Sequence, residues 1–257
     1  MDSMTGTGVV GIGQAGGHGS SSGSGSGKCT TYAYRNLCLP PGLSGRQLAV
    51  VEGALGCRRR IARNSALFRD GQPFGNLYAV RVGHFMTTRA DHRGEHYITG
   101  FHMAGELLGM DAIGSGSHAS SAIALEDGEV CELPYARLQR LLVEFPQFME
   151  HFHRILSQEI QREQSAIRFL GILRADERLA SLLLNLSSRY AMRGFSPRRF
   201  RLRMGRDHIA RYLGLTIETV SRLLGRFREQ GLIAIEQRDV ELLDMRRLEG
   251  IAAGAAR

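Results

Sequence analysis

The sequence predicts an α+β chain made of an N-terminal antiparallel β-barrel, one long helix and a C-terminal winged helix-turn-helix domain. Three observations predict it. Short apolar runs broken by Gly, Asp and His turns fill the chain from about Leu43 to Leu142. The stretch between Gln147 and Leu170 then contains neither Gly nor Pro and has helical periodicity. Finally, a basic C-terminal segment holds two short helical patterns separated by Gly214.

In chain order, residues 1–28 are dominated by Gly and Ser, as in HGSSSGSGSG, too few apolar groups to offset the entropy of ordering. They are expected to form a disordered tail. Residues 29–143 read as a sensor domain, with LYAVRVGHFMTT, HYITGFHMAG and SSAIALEDGEVCELP as strand-and-turn segments of a barrel or sandwich.

Residues 144–175 read as a dimerisation helix. Leu156, Ile160, Glu163, Ile167 and Leu170 recur at alternating spacings of four and three, the a/d seam of a coiled coil, which implies a second copy of the helix. The alternative is a stripe that faces the chain's own barrel. Glu163 in a dimer seam would set two like charges against each other out of water, so association there is expected to be weak unless something else drives it.

Residues 176–257 read as the DNA-binding domain. In RDHIARYLGLTIETVSRLLGRFREQGLIAI, Ile209 is apolar, Ala210 is small enough for two helices to cross, and Gly214 suits a left-handed cap. Thr216 caps the second helix, whose buried side is Val220, Leu223 and Leu224, and Gly231 ends it. GLIAIEQRDVELLD then alternates around a polar turn, as a wing does. The first exposed turns hold Glu218, Ser221 and Arg222, types that accept from cytosine, bond flexibly and grip guanine, with Thr216 and Thr219 beside them. Arg193, Arg198, Arg199, Arg201, Arg203, Arg206 and Arg211 precede this helix, and Arg222, Arg226 and Arg228 lie on it, suiting phosphates.

A net charge of +8 favours a polyanionic partner without saying which. The Gly/Ser-rich N-terminus has no signal-peptide character, and no segment is apolar for long enough to span a bilayer, so a cytoplasmic protein with no membrane partner is expected. There the four cysteines suit metal or redox chemistry better than structural disulfides. No Walker loop, HExxH or nucleophile elbow is present, so no enzyme is expected. His84, His92, His96 and His102 are irregularly spaced and read as surface or core residues, and GVVGIGQAGG lacks the strand-helix unit of a dinucleotide site.

The order of barrel, helix and winged helix, with ETVSR in the recognition helix, resembles the CRP/FNR superfamily of bacterial regulators. ITGFHMAGELLGMDAIGSG, VCELPYARL, DERLASLLLNLSSRYAMRGFSPRRFRL and YLGLTIETVSRLLGRF resemble its fumarate-and-nitrate-reduction (FNR) branch in particular. The resemblance implies a cupin-like, cyclic-nucleotide-binding-like sensor domain. It also implies a homodimer on double-stranded DNA with palindromic TTGAT-like half-sites, RNA polymerase as partner of an activator, and control of anaerobic or microaerobic genes. In the cyclic-nucleotide receptors a G-E-L turn precedes an Arg-Ser pair that neutralises the phosphate. Here Gly105, Glu106 and Leu107 are followed by Ser120, Ser121 and Ala122, so cyclic AMP is not expected as ligand.

The resemblance further implies an oxygen-labile 4Fe-4S cluster held by three N-terminal cysteines, spaced by two and then five residues, and a fourth in the barrel. Cys29 matches the first, Cys38 the third and Cys131 the barrel ligand, but Tyr32 stands at the second. A phenol with a pKa of about 10 is a poor substitute for a thiolate. Cys57, in GCRRRI, is the spare thiol, with a plain reading as a small residue of a helix or strand. Three readings stay open: a cluster on three cysteines, a cluster that recruits Cys57, or a regulator without a cluster that senses another signal through the barrel. The family also places at Glu163 a carboxylate that opposes dimerisation. A third class of function, a protein-interaction module using the barrel alone, would leave Glu218, Ser221 and Arg222 without purpose.

Overall fold

The computed structural model describes residues 43–54, 56–90, 94, 96–171 and 173–254, and the side chains of all of these except 165–171. The expected tail, Cys29, Tyr32, Cys38 and His92 lie outside the described residues, as do the side chains of Ile167 and Leu170.

The sensor domain opens with helix α1 (Gly45–Ala54) and continues through β1 (Arg58–Ile61), β2 (Ala66–Phe68), β3 (Asn76–Val82), β4 (His84–Ala90), β5 (His96–Met103), β6 (Leu107–Leu108), β7 (Ser121–Ala124) and β8 (Gly128–Pro134). These strands form two four-stranded sheets, ordered β1-β8-β3-β6 and β2-β7-β4-β5, with antiparallel pairings throughout. Alternate residues of each sheet point at the other, so Val80 and Val130 share a core with Phe68, Phe85, Ala122 and Ala124. The expected β architecture therefore takes the form of two facing sheets. At Gly83, between β3 and β4, φ is 90° and a Cβ would come within 2.9 Å of the Gly128 Cα, so only glycine fits.

Helix α2 (Tyr135–Glu144) runs directly on from β8 and buries Leu138, Leu141 and Leu142. It was not anticipated, since its apolar residues read as the end of the strand pattern. The long helix α3 (Pro146–Gly171) begins two residues later than expected. Phe145 is extended, at φ −126° and ψ 101°, because the ring of Pro146 disfavours helical geometry in the residue before it while fitting the first helical position itself. The N-terminal part of α3 anchors to the sensor domain. Phe148 and Phe152 pack with Val51, Leu107, Leu141 and Cys131.

The C-terminal domain comprises α4 (Ala175–Ala191), β9 (Arg199–Arg201), α5 (Arg206–Leu213), α6 (Ile217–Glu229), β10 (Ile233–Glu236), β11 (Asp239–Leu242) and α7 (Met245–Ala252). The wing has the order β10-β11-β9, one strand more than the predicted hairpin. Leu183, Leu213, Val220, Leu224, Phe227 and Leu248 form its core. That core is continuous with Ile98, Phe101, Met103 and Leu125 of the sensor domain, so the two domains share one apolar cluster.

Candidate functional site

The helix-turn-helix is built as its sequence requires. Helix α5 ends at Gly214, whose φ of 62° is the left-handed geometry that frees its N–H to reach the Ala210 carbonyl. Thr216 then starts α6, its hydroxyl accepting the Thr219 N–H at 3.2 Å, a cap that stabilises by about 1 kcal/mol. Ile209 and Ala210 are buried where α5 crosses, and Val220, Leu223, Leu224 and Phe227 form the inner face of α6.

With those residues inside, the opposite face is fixed. Glu218 and Arg222 are exposed, and Ser221 and Thr219 are half-buried. Positions 218, 221 and 222 are three and four apart, hence neighbours on one side of the helix. Hydrogen bonds from its own backbone N–H and from the Thr216 side chain hold the Glu218 carboxyl below its usual value, so it is an ionised acceptor at neutral pH. Arg206 adds a neighbour not foreseen from sequence: its Nη1 donates to the Ser221 hydroxyl at 3.3 Å.

The basic segment needs one correction. Arg193, grouped above with the phosphate-facing arginines, has a side chain only 3% exposed and donates to Glu106 of the sensor domain at 2.6 Å. Arg199, Arg201, Arg203 and Arg226 lie 2.9–3.1 Å from Glu241, Asp239, Glu126 and Asp176 respectively. Exposed pairs of this kind are weak enough for a phosphate to compete with.

On α3, Leu156 is half-buried, Ile160 is 56% exposed and Glu163 is exposed. All three line a cavity of about 530 Å³ beneath the helix, together with Arg89, Asp111, Ser120, Glu159 and Tyr212. Partial burial and the nearby Glu159 carboxylate push the Glu163 carboxyl up, with Arg89 opposing.

Cys131 lies on β8 and is 1% exposed. It is disulfide-bonded. The preference for metal or redox chemistry over disulfides therefore does not describe this cysteine: to ligate iron as a thiolate it must first be reduced. Cys57 is free and exposed, immediately before β1. Among the described residues, no three His, Cys, Asp or Glu side chains are grouped to hold a metal ion. His84 is 2.6 Å from Glu126 and 3.2 Å from the Tyr190 hydroxyl, and His102 is 3.1 Å from the Thr87 hydroxyl. Both are structural. Among the described residues no helix is long and apolar enough to cross a membrane.

A Crp-like helix-turn-helix domain model matches residues 177–251, and a cyclic nucleotide-binding domain model matches residues 58–145. The transcriptional regulatory protein btr of Bordetella pertussis is 40% identical over 217 residues, covering 84% of this chain and 90% of that protein. The fumarate and nitrate reduction regulatory protein of Salmonella typhimurium is 41% identical over 224 residues, 87% of this chain and 90% of that one. The solved structure of FixK2 from Bradyrhizobium japonicum has a TM-score of 0.71 at 26% identity, covering 79% of this chain and 99% of that one.

Proposed function

The chain belongs to the CRP/FNR family as an FNR-type transcriptional regulator, not an enzyme, and from this we propose that it binds palindromic TTGAT-like operators as a homodimer and answers to oxygen or redox state in the cytoplasm. The observation that carries the DNA reading is the exposed face of α6, where an ionised acceptor, a hydroxyl and a guanidinium fork stand within one helical turn. Phosphate contacts from the surrounding arginines would position that helix, and RNA polymerase would be engaged from the bound dimer.

The cofactor proposal is a 4Fe-4S cluster on Cys29, Cys38 and Cys131. Thiolates suit iron, and reduced Cys131 would offer one inside the core shared with Phe148 and Phe152. The cluster would supply an oxygen-labile group whose loss changes packing at that end of α3. The donor set is one thiolate short, because Tyr32 stands where the family has cysteine. Anaerobic reconstitution should give visible cluster absorbance in wild type that Cys131→Ser abolishes, and Tyr32→Cys should slow its decay in air. Absorbance indifferent to Cys131→Ser would show adventitious iron, and loss in Cys57→Ser would make Cys57 a ligand. The same preparations titrated with a TTGAT inverted repeat and a scrambled duplex test the DNA reading, which equal affinity for both would overturn.

A second reading, a regulator that senses another signal through the sensor domain without a cluster, is favoured by the cavity beneath α3. Among the described residues its lining holds three carboxylates, Asp111, Glu159 and Glu163, and one guanidinium, Arg89; Glu159 is also paired with Arg162 at 2.9 Å, and Ser120 donates to Asp111 at 2.8 Å. Such a lining repels a phosphate, which argues against cyclic AMP. Cluster assembly only in Tyr32→Cys would establish this reading.

For the dimer, the exposure of Ile160, 56% although it and Glu163 line the cavity, supports the proposal that this stripe of α3 meets a second copy of the helix. Glu163→Ala should raise the dimer fraction of the cluster-free protein several-fold, as two like charges leave the seam. Sedimentation at matched concentrations reads this, and equal monomer fractions would refute the seam.

A further inference from the structure

We propose that Glu106 is a positioning residue, clamping the first helix of the DNA-binding domain onto the sensor domain and thereby setting where the recognition helix points. Glu106 lies in the turn between β5 and β6, is 6% exposed, and is not among the residues lining the cavity under α3. Its carboxylate instead faces three guanidiniums. Arg189 of α4 donates from Nε to Oε1 at 3.1 Å and from Nη2 to Oε2 at 2.7 Å, and Arg193, just past α4, donates from Nη2 to Oε1 at 2.6 Å. Arg162 of α3 stands 3.7 Å from Oε2.

The same two arginines also hold the backbone of the turn. Arg189 Nη2 donates to the Phe101 carbonyl and Arg193 Nε to the Ala104 carbonyl, each at 2.6 Å. Their side chains are 8% and 3% exposed, so both charges depend chiefly on Glu106 for compensation, with Glu159 a lesser contributor at Arg189. Beside the cluster, the Phe101 and Tyr212 rings lie 5.0 Å apart, and Arg203 donates to Glu126 at 2.9 Å. Tyr212 belongs to α5, which is fixed to α6 through Gly214, so whatever seats α4 and α5 on the sensor domain also fixes α6. Glu106 is thus the shared anchor of sensor domain and DNA-binding domain, while Arg162 of α3 nearby is hydrogen-bonded to Glu159 of its own helix at 2.9 Å.

The positioning half of the proposal rests on the DNA reading above; the clamp itself does not. Hydrogen exchange of the full-length protein is compared for wild type, Glu106→Gln and Arg193→Gln, with titration of a TTGAT inverted repeat alongside. Both variants should exchange faster in β5 and α5 while β3, β8 and α7 keep their protection, a pattern that undocking gives and unfolding does not. Duplex affinity should fall about tenfold with the ranking of half-site variants unchanged, since the undocked fraction enters the apparent affinity directly. If Glu106→Gln does not fold, Arg193→Gln, beyond the end of its helix, gives the same reading. Unchanged exchange in β5 and α5 in the folded variants overturns the clamp. Faster exchange with unaltered duplex affinity overturns the positioning role. A wild type that binds no duplex counts against the DNA reading instead, and the exchange data then decide the clamp alone.

Discussion

Phe227→Ala should destabilise the DNA-binding domain by about 3 to 5 kcal/mol and abolish operator binding while the sensor domain remains folded. The ring is 1% exposed on the last turns of α6, in the cluster that includes Leu183, Leu213, Leu224 and Leu248. Those neighbours sit on four different helices, so the void left by truncation cannot close without moving α6 itself. A domain of this size holds only about 3 to 5 kcal/mol in its own core, so the substitution leaves it little beyond what the cluster shared with the sensor domain supplies. Thermal unfolding should split into a low transition for the C-terminal domain and a near-native one for the sheets. A melting profile within a few degrees of wild type would show that the core closes around the loss.

Arg222→Ala should leave stability untouched, because the side chain is exposed, and should weaken binding by about 1 to 3 kcal/mol at one base pair, roughly 5- to 150-fold. The loss should be specific. Operators altered at the guanine proposed for Arg222 should become equivalent for the variant, while the preferences proposed for Glu218 and Ser221 should persist. Titration of single-substitution half-sites tests this, and an unchanged ranking in Arg222→Ala would show that the arginine touches phosphate instead of a base. Loss of a phosphate contact would lower all affinities together and reduce their salt dependence.

What could be read in advance followed from how local each cause is. The turn at Gly214 and the cap at Thr216 are set by residues within one helical turn of each other, so residue type alone placed them. The apolar spacing of α6 likewise left Glu218 and Arg222 on the outside. Helix α2 escaped because it follows β8 with no Gly between them, and at Pro134 strand and helix patterns merge. Strand β9 has only three residues, too few for an alternation to register. The contact between Glu106 and Arg193 spans 87 positions. No periodicity reports such a contact, and both residues had plausible roles elsewhere, as a turn acid and a phosphate-binding arginine. The cysteines were legible only as a spacing; that Cys131 is buried and already bonded is a fact of the fold.

The location of Cys131 decides where any movement started at its sulfur can go. Strand β8 is laced to β1 on one edge and to β3 on the other, so the Cys131 backbone is held from both sides. In mechanical terms it is the fixed jaw of a vice: a load on the Cys131 sulfur meets a strand paired along both edges. The compliance lies opposite, in Val51, Leu138, Phe148 and Phe152, which rest on this core from helices and not from a hydrogen-bonded sheet. On the proposed cluster reading, work done at the sulfur would emerge as tilt or slide at the root of α3, and a helix of 26 residues would turn a small displacement at its root into a larger one at its far end.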